Sequence, residues 1–69
     1  MIEVILDGEK KAVSSLDRSL STFIKNQGFE QSIIIVRING DIVLYENHST
    51  RLLKDGDMIE VEYVILSGG

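Results

Sequence analysis

Three glycine-closed turns constrain this chain more than any other feature. Asp7-Gly8, Asn39-Gly40 and Asp55-Gly56 each stand beside an apolar, β-branched segment. Glycine accepts the positive φ that tight turns require, and Asn or Asp before it tolerates the same region. The pieces left between these turns are strand-sized. "IEVIL" precedes Asp7-Gly8 and "KKAV", residues 10–13, returns from it. "SIIIVRI", residues 32–38, precedes Asn39-Gly40 and "DIVLY" returns from it. "MIEVEYVIL", residues 58–66, follows the third turn, which spans Lys54, Asp55, Gly56 and Asp57. The chain has no proline to interrupt any of these strands.

One segment carries helical periodicity. After the polar loop "SSLDRS", Ser19 is an N-cap whose hydroxyl accepts from an orphan amide of the first turn. Leu20, Phe23 and Ile24 stand at i, i+3 and i+4 and share one face. Gly28 supplies a left-handed stop and Phe29 the apolar contact that accompanies it, so the helix covers residues 20–27. "ENHSTRLL" is irregular, a loop or a single helical turn. In the last strand Ile59, Val61, Tyr63 and Ile65 point one way, toward the helix. Met58, Glu60, Glu62, Val64 and Leu66 point the other. The near-continuous run at 32–38 calls for cover on both faces, so either Ile33 and Ile35 or Ile34 and Val36 face outward. The order is that of an α+β layer with the helix on one sheet face.

Composition then removes whole classes of function. The 69 residues make one domain, and 43% of them are hydrophobic, enough for one compact core. There is no cysteine and only one histidine, His48, so thiolate and multi-histidine metal sites and cysteine nucleophiles are excluded. A net charge of -4 argues against nucleic acid as a partner and for a basic protein surface. The longest apolar run, "IIIV", is far below the roughly 20 residues that cross a bilayer. The N-terminus lacks a signal-peptide pattern. The expectation is a cytoplasmic, soluble protein, a monomer on its own, with no bound cofactor or metal.

The compact length, the "ING" and "DIV" pieces within residues 38–43, the "LLKDGDMIEVEYVI" stretch of residues 52–65 and the terminal "SGG" resemble the β-grasp, ubiquitin-like fold. More narrowly, they resemble the ThiS group of sulfur carrier proteins. Many members continue the "IV" with Pro-Arg, where this chain has Leu44-Tyr45. The resemblance implies a mixed sheet of four to five strands with one main helix on one face and the first and last strands as parallel neighbours. It implies a single domain over residues 1–65 and a flexible tail over residues 66–69. MoaD-type carriers of molybdenum-cofactor synthesis and ubiquitin-like binding or conjugating modules are the alternatives.

The two terminal glycines are either a frayed end or the working end. In the ThiS group the terminal carboxylate, here that of Gly69, is adenylated by a partner and converted to a thiocarboxylate for thiamine (thiazole) synthesis. The implied partners are a ThiF-like adenylyltransferase using ATP and magnesium, a ThiG-like thiazole synthase as sulfur acceptor, and a sulfur donor such as a cysteine desulfurase. Gly68 and Gly69 lack a Cβ and can pass a narrow channel. With Leu66 and Ser67 they extend roughly 13–14 Å. The carrier itself needs no catalytic residue.

Docking of such a partner is expected on outward aliphatics, Val64 and Leu66 with Ile33 and Ile35 or Ile34 and Val36, rimmed by Glu60 and Glu62. His48 with Glu46, Ser49 and Asp57 sketches a hydrolytic set, but it reads as a solvent-facing loop histidine. Asp55, Asp57, Glu60 and Glu62 lack the spacing of a calcium loop.

Overall fold

The computed structural model of the chain describes residues 1–64. The tail expected at residues 66–69 lies outside them, as does Ile65. Five strands form one sheet: β1 (Ile2–Leu6), β2 (Glu9–Val13), β3 (Ile34–Ile38), β4 (Asp41–Val43) and β5 (Met58–Tyr63). A single α-helix, α1 (Leu20–Asn26), lies between β2 and β3. The strand order is β2-β1-β5-β3-β4. The β1–β2 and β3–β4 hairpins are antiparallel, and β5 enters between them, parallel to β1 and antiparallel to β3.

Both hairpins are closed by two residues at positive φ, Asp7 (46°) with Gly8 (88°) and Asn39 (53°) with Gly40 (87°). This is the turn whose twist matches that of the flanking strands. The third turn is closed by Asp57 N–H to the Lys54 carbonyl at 3.1 Å, with Gly56 at φ 87°. Its two aspartates bind it to the sheet. Asp55 Oδ1 accepts from Glu3 N at 2.8 Å. Asp57, 5% exposed, accepts from Lys54 N at 2.8 Å and from Asn39 Nδ2 at 3.0 Å. Asn39 Oδ1 in turn accepts from Met58 N at 3.0 Å. The start of β5 is thus tied both to β1 and to the β3–β4 turn.

Ser19 caps α1, its hydroxyl accepting from Thr22 N at 3.2 Å. At the far end Gly28 N–H donates to the Lys25 carbonyl and Phe29 N–H to that of Ile24. This is the paired-bond motif of a glycine-stopped helix. Leu20, Phe23 and Ile24 pack on Val4, Leu6, Ile34, Val36, Ile38 and Ile59, with Val13 and Leu53 completing the core. Each such aliphatic contributes about 1.5–3 kcal/mol on burial, which a domain of this size needs to offset its chain entropy.

Several boundaries differ from the sequence reading: β2 starts at Glu9 instead of Lys10, and α1 ends at Asn26 with Gln27 as its C-cap. Residues 31–33 form a 3-10 turn, so β3 starts at Ile34 instead of Ser32. The strand returning from Asn39-Gly40 ends at Val43, because Tyr45–Asn47 turn into a second 3-10 helix. β5 runs to Tyr63, and Val64 follows with its N–H on the Ile33 carbonyl at 2.8 Å. The predicted inner face holds at Ile59, which is buried, and at half-buried Val61. Tyr63 is 53% exposed. The seven-residue helix is too short to cover the end of the strand, where the Phe29 ring lies 5.8 Å from that of Tyr63.

Candidate functional docking face

Burial of Ile34, Val36 and Ile38 decides the alternation in β3, so Ile35 and Arg37 lie on the face away from the helix. Register then assembles that outer face. Ile35 stands opposite Glu62, Arg37 opposite Glu60, and Ile42 of β4 opposite Arg37. Met58 lies beside Ile5 of β1. Leu44 follows Val43 in extended backbone and continues the outward alternation of Ile42. Ile42 and Leu44 are exposed by 58% and 57%. The result is an apolar strip over β3 and β4, reaching Ile33 and exposed Val64 beside the end of β5.

Of the residues singled out from sequence, Val64, Glu60 and Glu62 fall on this face. Leu66, Ser67, Gly68 and Gly69 lie outside the described residues. The acidic rim is not uniform. Glu62 Oε1 accepts from Arg37 NH1 at 3.0 Å, in a diagonal ion pair across β5 and β3. Glu60, though directly opposite Arg37, has no ion-pair partner among the described residues. Ile42, Leu44 and Arg37 were missed in the sequence reading. The period of two in "DIVLY" carried the signal for the first two, since it sends Ile42 and Leu44 to one side.

His48 corrects the expectation of a solvent-facing loop. It is 2% exposed. The loop of residues 44–51 folds back over the start of α1, its carbonyls at His48 and Arg51 accepting from Ser21 N and Leu20 N at 2.9 and 2.8 Å. This draws the imidazole inward, edge-on to Tyr45. Nε2 lies 3.2 Å from the Val43 carbonyl and Nδ1 3.4 Å from the Gln31 side-chain oxygen. Both ring nitrogens are engaged, and Asp57 is committed to its turn. The sketched hydrolytic set is therefore not assembled. The acidic group that suggested calcium is likewise dispersed: Asp55 and Asp57 hold the turn and Glu62 holds Arg37. No helix among the described residues is long and apolar enough to cross a membrane.

A mixed five-stranded sheet with its last strand inserted centrally and one helix across one face defines a β-grasp domain. Neither a protein-family profile nor a curated protein sequence matches the chain. Among solved structures the fold is similar to that of the thiamine biosynthesis protein ThiS from Geobacter metallireducens. Its crystal structure superposes with a TM-score of 0.79 at 20% identity, over 99% of this chain and 100% of that one. The NMR solution structure of a thiamine biosynthesis protein from the same organism gives 0.72 at 21% identity, over 99% and 88%. The fold is ThiS-like across the whole chain.

Proposed function

We propose that the chain is a sulfur carrier whose Gly69 carboxylate is activated by a ThiF-like adenylyltransferase and donates sulfur to thiazole synthesis. The observation that carries this reading is the ThiS-like fold over the full chain, joined to a sequence that runs from β5 directly into Ser67-Gly68-Gly69. A carboxylate is a poor electrophile. Attack of its oxygen on the α-phosphorus of ATP expels pyrophosphate and yields an acyl adenylate. Sulfide then adds to the acyl carbon and AMP departs with the electron pair of the C–O bond, leaving a thiocarboxylate. The α-carboxyl has a reference pKa of about 3.5 and is ionised at neutral pH, ready for the first step.

The proposed division of labour suits a small ThiS-like fold. The partner supplies ATP, magnesium and all catalysis, and a ThiG-like synthase takes the sulfur. The carrier supplies a thin tail and a recognisable body. Val64, Ile33, Ile35, Ile42 and Leu44, with Leu66 beyond, form the apolar docking surface, and Glu60 faces a basic group of the partner. In this reading the reach of the carboxylate is set by the number of residues after Val64.

The test uses the parent, a Gly69 deletion and a variant with one residue added after Gly69. Each is incubated with a cognate adenylating enzyme of the thiamine or the molybdenum-cofactor type, ATP, magnesium and sulfide. Deletion withdraws the carboxylate by about 3.5 Å, where about 1 Å already costs a hundredfold in rate. The parent releases pyrophosphate and gains the mass of one oxygen-for-sulfur exchange; both variants do neither. An inert parent with both enzyme types, or a Gly69 deletion as active as the parent, sinks the carrier reading.

A further inference from the structure

The edge of the sheet at β4 carries a feature that the docking face does not use. A groove of about 510 Å³ lies between β4 and the loop of residues 47–51, and Asp41 and Arg51 both stand in its walls. Among the described residues β4 has no strand neighbour on its far side. In a two-residue hairpin the pair flanking the turn, here Ile38 and Asp41, exchanges both hydrogen bonds, and the next pair exchanges none. The N–H and C=O of Ile42 therefore point away from β3 into the open edge. The opposite edge, β2, is protected by Glu9, Lys10 and Lys11, the usual charged defence. β4 presents an exposed isoleucine instead.

The charges in the groove select the occupant. Asp41 and Arg51 share it, yet neither joins an ion pair among the described residues. Arg51 Nε is excluded from solvent and has no hydrogen-bond acceptor, a state that leaves its desolvation uncompensated. An acidic segment would meet Asp41, and a basic one would meet Arg51. The fitting ligand is an extended strand bearing both signs in reverse order.

A second copy of the chain supplies both signs: its β4 brings Asp41 and the loop beside that strand brings Arg51. Run antiparallel about a two-fold axis at Ile42, each copy sets its Asp41 beside the Val43 end of the other. That is the end to which the Arg51 loop is tied, through His48 Nε2 and the Val43 carbonyl. We infer that the chain self-associates through β4 as an isologous dimer. Ile42 pairs with its own copy by two main-chain bonds, and Asp41 of each copy meets the accessible end of the Arg51 guanidinium of the other, which has no ion-pair partner among the described residues. The expectation of a monomer is the alternative that sedimentation decides. The dimer leaves the outer face and the end of β5 open, so it stands independently of the carrier reading. A three-residue strand makes the association weak and concentration-dependent.

Sedimentation equilibrium of the full chain from micromolar to millimolar protein tests it. The parent mass rises from 7.7 kDa toward twice that value. Asp41→Arg and Arg51→Asp each abolish the rise, and their equimolar mixture restores it. In the mixture one copy carries both arginines and the other both aspartates. Ile42→Pro also abolishes it while leaving its own sheet intact, since the lost N–H faces away from β3; circular dichroism checks that each variant is folded. A parent that stays at monomer mass up to millimolar overturns the proposal. So does an Ile42→Pro variant that associates like the parent, or a mixture of folded single variants no heavier than its components. A monomeric parent whose Ile42 amide resonance shifts on adding an alternating Asp-Val peptide gives the groove to a peptide, and the dimer reading fails.

Discussion

Replacing Asp57 by alanine tests the mechanism that places β5. The carboxylate is nearly buried and accepts two hydrogen bonds, from Lys54 N and from Asn39 Nδ2. Alanine leaves both donors unmatched and frees the Asn39 side chain, whose oxygen holds Met58 N. Hydrogen bonds to a charged acceptor contribute about 1.5 kcal/mol or more each, so the loss is about 3 kcal/mol. Domains hold about 0.05–0.15 kcal/mol per residue, which for this length gives about 3–10 kcal/mol in all. The variant therefore forfeits a third or more of its stability, and its melting temperature falls by about 12–24 °C. Asp55→Ala is the control. It removes one exposed bond, to Glu3 N, and costs about 0.5–1 kcal/mol. Urea unfolding of parent and both variants, followed by circular dichroism, gives the comparison at a common m-value. Equal losses for the two aspartates, or a loss below about 0.5 kcal/mol for Asp57→Ala, would refute the claim that the buried carboxylate, not the turn sequence as such, clamps the strand.

Other outcomes follow from the same structure. Under the proposed docking mode, Ile35→Asp weakens binding to an adenylating partner by tenfold or more in titration calorimetry, because it places a charge in the apolar strip over β3 and β4; Leu66→Asp, outside the described residues, is expected to weaken it likewise. Glu60→Gln mainly slows association at low salt in stopped-flow measurement, and the difference fades as ionic strength rises. Gly28→Ala costs about 1–2 kcal/mol in urea unfolding. A Cβ there would meet nothing within 4 Å, so the loss is conformational, from the positive φ alone. His48→Phe destabilises the chain by about 1–3 kcal/mol, since the Val43 carbonyl and Gln31 amide lose their partner; wild-type stability would show that the ring only fills space.

What could be read in advance was what local chemistry determines. Asn-Gly and Asp-Gly specify their own backbone, Ser19 specifies a helix start, and Gly28 with Phe29 specifies its stop. Alternation in β5 assigned Ile59 to the core because a strand's side chains have a fixed period. Properties that depend on what crosses overhead were not legible. His48 is buried because residues 44–51 fold over the start of α1, and no periodicity announces such a crossing. Tyr63 stays exposed because the helix ends short of it, which is a matter of relative lengths. Arg37 binds Glu62 diagonally, a choice set by sheet twist between strands far apart in sequence. The docking face was half legible: Val64, Glu60 and Glu62 were named, whereas Ile42 and Leu44 needed the strand order to join them.

The central place of β5 has a consequence for how such a chain comes into being. Within the sheet the β1–β2 and β3–β4 hairpins are joined only through β5. Until residues 58–63 emerge from the ribosome, the two hairpins have no shared sheet and α1 has no complete surface to rest on. Hairpins alone are marginal in water, so vectorial synthesis cannot complete the domain from its N-terminal end. Closure waits for contacts of high sequence separation, the kind that slow folding most. A chain interrupted before Met58 would stay unfolded and open to proteolysis. A folded molecule is therefore also one in which the last strand has been made.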